Sequence, residues 1–186
     1  MKRIFLLAAA LLLAAGTAFA AATMQKWTAG WDNFGEPLNY TKSKISWSVN
    51  ATTHKLSVTY TLVGATPSKL YQVDLSIFCS TFPSTFGQFP VQGLGAGNTC
   101  QTATRQGVTA SAAYVEVGVV TTDLHGNGSF AVMVGPVPSG TYDVEFRALD
   151  GAGCGLTGGA GNGSDCAADF QSPGPKFGDT TAITVP

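Results

Sequence analysis

The chain has 186 residues, ten Lys and Arg against eleven Asp and Glu, and a formal charge of −1. A phosphate backbone is gripped by clustered cations, and here Lys26, Lys42, Lys44, Lys55, Lys69, Arg105, Arg147 and Lys176 are scattered, which argues against nucleic acid as a partner. Charged residues make up only 11% of the chain, well below the usual quarter, and polarity comes from Thr, Ser, Asn and Gly, a balance common among extracellular β-proteins.

In chain order, Lys2 and Arg3 are followed by an apolar run from Ile4 through Gly16 and then Ala18-Phe19-Ala20. A positive start, a short apolar stretch and small residues at alternate positions match a secretory signal peptide over residues 1–20. The run is shorter than the roughly 20 apolar residues a bilayer span needs, and Ala21 follows where a lipid-anchored chain would carry cysteine. The expectation is a single secreted domain over 21–186, extracellular or periplasmic, with no membrane anchor after cleavage.

Beyond the signal, apolar residues recur at the two-residue period of a half-buried strand. Ile45, Trp47 and Val49 give the first; Leu56, Val58, Tyr60 and Leu62 the second; Tyr71, Val73, Leu75 and Ile77, with Gln72, Asp74 and Ser76 opposite, the third. Val115, Val117 and Val119 follow, then Phe130, Val132 and Val134, then Tyr142, Val144 and Phe146 against Asp143, Glu145 and Arg147, with Ile183 and Val185 at the end. No stretch after the signal keeps a helical period. Seven or eight short strands with one apolar face each bury those faces by stacking two sheets, so the predicted fold is an all-β antiparallel sandwich. Residues 23–43, 80–113 and 150–178 interrupt the strands; connections that long are usually functional or stapled.

Cys79, Cys100, Cys154 and Cys166 are an even set in an exported chain, which favours disulfides. Three pairings are possible; Cys79–Cys100 and Cys154–Cys166 are preferred because each brackets a turn-rich stretch, making the sandwich one with disulfide-stapled loops. A zinc site would show close Cys pairs with histidines, and the histidines are His54 and His125 alone.

Val115 to Ala148 reads strand, Thr122-Asp123-Leu124-His125-Gly126-Asn127-Gly128-Ser129-Phe130, strand, Pro138-Ser139-Gly140-Thr141-Tyr142, strand. This resembles the turn grammar of the transthyretin-like and carboxypeptidase-regulatory-like β-sandwich domains, with an Asp- and Gly-bearing turn before an aromatic and a Pro-x-Gly-x-Tyr turn opening the next strand. The resemblance covers about a fifth of the chain. It implies an immunoglobulin-like or transthyretin-like sandwich of the kind that serves as a stalk, adhesin module or accessory binding unit. In physical terms Asp and Asn tie such turns by side chain to backbone bonds, Gly supplies positive φ, and Tyr142 begins a buried face.

Three groups are candidate binding residues. Phe82, Phe86 and Phe89, interleaved with Pro83 and Pro90 between Cys79 and Cys100, would form a contact surface whose ordering entropy is already partly spent, or would cap the end of the sandwich. Trp27 and Trp31, with Phe34, Tyr40 and Trp47, would stack on sugars with Asp32, Asn33 and Glu36 as hydroxyl partners, or would fill the core. Asn162, Ser164, Asp165 and Asp169, with Asp150, offer oxygens for calcium or ordinary turn chemistry. Asp143 and Glu145 have a spacing compatible with paired-carboxylate chemistry, but Arg147 continues that face and makes it a solvated charged stripe. With no Gly-x-Ser-x-Gly or His-Glu-x-x-His pattern, no catalytic residue and no cofactor is expected. The leading reading is a secreted, non-enzymatic protein that binds an extracellular protein or glycan in adhesion at the cell surface. The alternatives are a fibre or matrix subunit that assembles with itself by exchanging segments 21–30 or 179–186, and a lectin-like module.

Overall fold

The computed structural model describes residues 20–81, 100–105, 107–151, 154 and 166–186. Eleven strands lie among them: β1 (Thr23–Lys26), β2 (Thr28–Ala29), β3 (Lys44–Val49), β4 (Leu56–Leu62), β5 (Leu70–Phe78), β6 (Cys100–Arg105), β7 (Val108–Thr121), β8 (Gly128–Val134), β9 (Gly140–Asp150), β10 (Ala168–Ser172) and β11 (Thr181–Val185). A 3-10 turn, Cys79–Thr81, follows β5. One antiparallel sheet runs β1-β3-β4-β8 and the other β2-β10-β9-β5-β7-β6, with β11 beside the first half of β9. The all-β sandwich predicted from alternation is the observed architecture.

The strand number exceeds the seven or eight expected, because β1, β2, β6 and β10 carry no apolar alternation. β1 and β2 are short edge pieces, β6 is mostly Thr and other polar residues, and β10 is buried along its whole length, so its two faces are not distinguished by polarity.

Between the sheets, Ile45, Trp47, Val58 and Tyr60 of the first meet Tyr71, Val73, Leu75, Val144, Phe146 and Phe170 of the second, all buried. The rings of Trp47 and Phe146 lie 5.2 Å apart, and the Tyr60 hydroxyl crosses the layer to donate to the Asp74 carbonyl at 3.0 Å. The turn from β7 to β8 passes from one sheet to the other: Asp123 Oδ1 accepts from the amides of His125 and Asn127, each at 2.8 Å, and Gly126 takes φ +75°. Tyr142 is buried at the start of β9, its hydroxyl donating to the Pro138 carbonyl at 2.7 Å.

The outer face of the larger sheet departs from expectation. Gln72, Asp74, Ser76, Glu145 and Arg147 are at most 1% exposed, so of the expected solvated stripe Glu145 and Arg147 are buried and Asp143 alone is half-exposed. Trp31, Cys154 and Phe177, from outside the strands, form a second apolar cluster with Ala112, Leu149 and Ala168 of the sheet itself. The covering segments bond to the polar side chains beneath them. Gln72 donates to the Cys154 carbonyl at 2.9 Å and accepts from its amide at 2.7 Å, while Gln171 accepts from the Trp31 amide at 3.1 Å and donates to the Gly174 and Lys176 carbonyls. Arg147 makes a two-pronged bond to Asp74 at 3.0 and 2.9 Å, the pairing a buried guanidinium needs.

Candidate functional site

The aromatic reading of Trp27 and Trp31 is corrected by burial. Trp27 is 1% exposed, packed on Tyr60 at 6.1 Å with its indole N–H on the Thr61 carbonyl, and Trp31 is 5% exposed with Phe177 edge-on at 5.6 Å. A ring with both faces in the core offers nothing for a sugar to stack on. Phe34, 68% exposed, is the aromatic of that segment at the surface. Segments 21–30 and 179–186 are engaged in their own chain, through β1 with β3, β2 with β10 and β11 with β9. They flank a groove of about 290 Å³ lined by Thr23, Trp47, Val49, Ile183 and Pro186 among others.

Cys154 and Cys166 form the expected disulfide, with Cα atoms 5.4 Å apart. Cys79 is disulfide-bonded too; the Cys100 side chain lies outside the described residues, as do Phe82, Phe86, Phe89, Asn162 and Asp165. Asp169 is described, and it sits on β10 in the interior, not on a loop.

Around Asp169 the fold gathers a charged cluster at one end of the larger sheet. Leu149 of β9 pairs with Gln72 of β5 on one side and Ala168 of β10 on the other. That register brings Asp150 and the Lys69–Tyr71 segment to the same end, beside Asp169, which stands at the register shift between Ala168 and Phe170 of β10. Glu36 arrives from the connection between β2 and β3. Carboxylate oxygens of Glu36, Asp150 and Asp169 lie within 4.8 Å of one another. The Lys69 ammonium is ion-paired with Glu36 and, at 2.6 Å, with Asp150. Glu36 Oε2 also accepts from the Thr66 and Tyr71 hydroxyls at 2.7 and 2.8 Å. The Cys154–Cys166 disulfide closes directly behind: the Asp150 amide donates to the Ala167 carbonyl at 2.9 Å and its carbonyl accepts from the Cys166 amide at 2.5 Å.

The electrostatics divide the three acids. Burial works against ionised Glu36, but hydrogen bonds from Lys69, Thr66 and Tyr71 outweigh it and hold its pKa below the ordinary value. Lys69 likewise loses to burial and gains more from Asp150 and Glu36, so its pKa rises. For Asp169 burial first, then the charges of Glu36 and Asp150, outweigh the opposing charge of Lys69 and push its pKa up to about 8. Its Oδ2 is buried without a hydrogen-bond partner. A compact group of hard oxygen donors with excess negative charge is suited to holding a cation.

Asp150 and Asp169 are legible in sequence as oxygen donors flanking the last cysteine pair. Glu36 and Lys69 are not, because they lie more than 30 residues apart and far from both aspartates, with only tertiary pairing to join them.

Comparison with known proteins adds little. No family model matches the chain, and no curated protein matches it. Among solved structures, a chain from work on pH-induced modulation of Streptococcus parasanguinis adhesion by Fap1 fimbriae matches over 89% of this chain and 82% of its own, at 15% identity and a TM-score of 0.34. A likeness at that score carries no argument about function.

Proposed function

We propose that this chain is an exported β-sandwich that works by contact with an extracellular partner and not by turnover, with the segment between Cys79 and Cys100 as its interaction surface. The observation that carries this reading is how the segment is anchored. Cys79 follows directly on β5, whose last residue, Phe78, pairs with Ala112 of β7; Cys100 opens β6 and pairs with Ala113 of the same strand. Both ends of the segment are therefore tied to adjacent positions of one strand, on either side of β7. A segment so held spends less entropy on binding than a free loop. The bonded state of Cys79 and the Cys154–Cys166 bridge fit the oxidising compartment that an exported chain meets.

The test is to replace Phe82, Phe86 and Phe89 together by Ser and compare the two oxidised proteins on arrays of polysaccharides and extracellular proteins. The expected result is unchanged melting with retention lost. Retention that survives the change would move the surface elsewhere, unfolding would make the three rings core, and release of reducing sugar would make the protein an enzyme.

A further inference from the structure

We propose that Glu36, Asp150 and Asp169 form a binding site for one calcium ion, with Lys69 as the counter-ion that holds the site when calcium is absent. Three observations carry it independently of any partner. The first is spacing. Two ligands at roughly 2.3–2.6 Å from a common ion lie at most about 5 Å apart, and the three carboxylates offer oxygens within 4.8 Å of one another. The same span is generous for magnesium, which draws its ligands in to roughly 2.0–2.1 Å and gives up water reluctantly.

The second is the state of Asp169. Its side chain is 1% exposed, points an oxygen into the cluster, and leaves Oδ2 with no donor. Buried acceptors are almost always bonded, so an orphaned oxygen on a carboxylate that reaches two other carboxylates marks a place where something positive belongs. The third is charge. With Asp169 ionised, as a carboxylate is when it ligates a metal, three carboxylates against the one ammonium of Lys69 leave the cluster two charges short of neutral, the charge of one divalent ion.

Lys69 does not block this role. Its side chain is 20% exposed on a flexible stem, so the ammonium can withdraw to water and release Glu36 Oε1 and Asp150 Oδ2 to the metal. Thr66 and Tyr71 would stay on Glu36 Oε2, and the disulfide behind Asp150 keeps that carboxylate in place. The remaining ligand positions of a six- to eight-coordinate ion would be water.

The experiment is calcium titration of the full oxidised chain, stripped with chelator, by calorimetry and by thermal melting. Wild type is expected to show one site per chain and a higher melting midpoint in calcium than in chelator, with magnesium weaker. Lys69→Met removes the competing cation and is expected to bind about tenfold tighter or more, the scale of one unit charge at close range. Asp169→Asn preserves shape and is expected to lose the site while remaining folded in chelator. Absence of calcium heat and of a melting shift in both wild type and Lys69→Met would overturn the proposal. So would an equal response in Asp169→Asn, which would place the ion elsewhere. If Asp169→Asn does not fold, the comparison of wild type with Lys69→Met decides alone: tighter binding supports the site, and equal or weaker binding refutes it.

Discussion

Replacing Glu145 by Gln should remove a pH dependence of stability that this fold builds into its larger sheet. Glu145 is 1% exposed beneath the segment after β10, where the Gly178 amide bonds to it and Oε1 has no partner. Burial pushes its pKa up to about 8; Arg147 opposes that shift, but its guanidinium is already paired with Asp74, whose own charge raises Glu145 further. Below about pH 4 the acid is protonated in both folded and unfolded chains. Above that the unfolded chain releases the proton and the folded one keeps it until about pH 8, so stability falls as pH rises through this window. The slope is roughly 1 kcal/mol per pH unit, accumulating to on the order of 4 kcal/mol by pH 8. Gln keeps the size and the hydrogen-bonding capacity without titrating. Denaturant midpoints at each pH from 5 to 9 should therefore converge for the two proteins at the acid end and separate toward alkali, with the variant the more stable. Asp169 titrates in the same direction, so the variant keeps a residual slope. Parallel curves, or a variant less stable at pH 9, would refute the assignment of a neutral Glu145.

Three further outcomes are expected. Removing the Cys154–Cys166 bridge by double Ser substitution, with 12 residues of separation, should cost about 3 kcal/mol in urea unfolding, most of it through the unfolded chain. Gly126→Ala should lose about 2 kcal/mol or more in the same assay, because a β-carbon there would sit 1.9 Å from the Ala65 carbonyl oxygen at a backbone φ of +75°. Arg147→Met takes the counter-charge from buried Asp74 and should cost roughly 3–5 kcal/mol, part of which Asp74→Asn in the same chain should restore; melting of the single and double variants measures the recovery.

The sandwich was readable wherever one face of a strand meets water. In β4 the pattern from Leu56 to Leu62 alternates buried and half-buried residue by residue, as its sequence does. β5 and β9 alternate just as clearly, yet Asp74, Glu145 and Arg147 are as buried as Val73 and Phe146. Polar residues opposite an apolar face look the same whether water or a second layer covers them. β10 was missed for the complementary reason: Ala168, Asp169, Phe170, Gln171 and Ser172 are all buried, so no period separates its faces.

Local chemistry was settled by the chain itself: the two-residue period of the main strands, the Asp123–Gly126 turn and the closure of Cys154 on Cys166 all depend on residues close in sequence. The tertiary structure alone decided that the outer face of the larger sheet is buried, that Trp27 and Trp31 belong to the interior, and that Glu36, Lys69, Asp150 and Asp169 meet. Each of those outcomes rests on which distant segments pack together, and neither alternation nor turn residues encode the packing of one part of the chain against another.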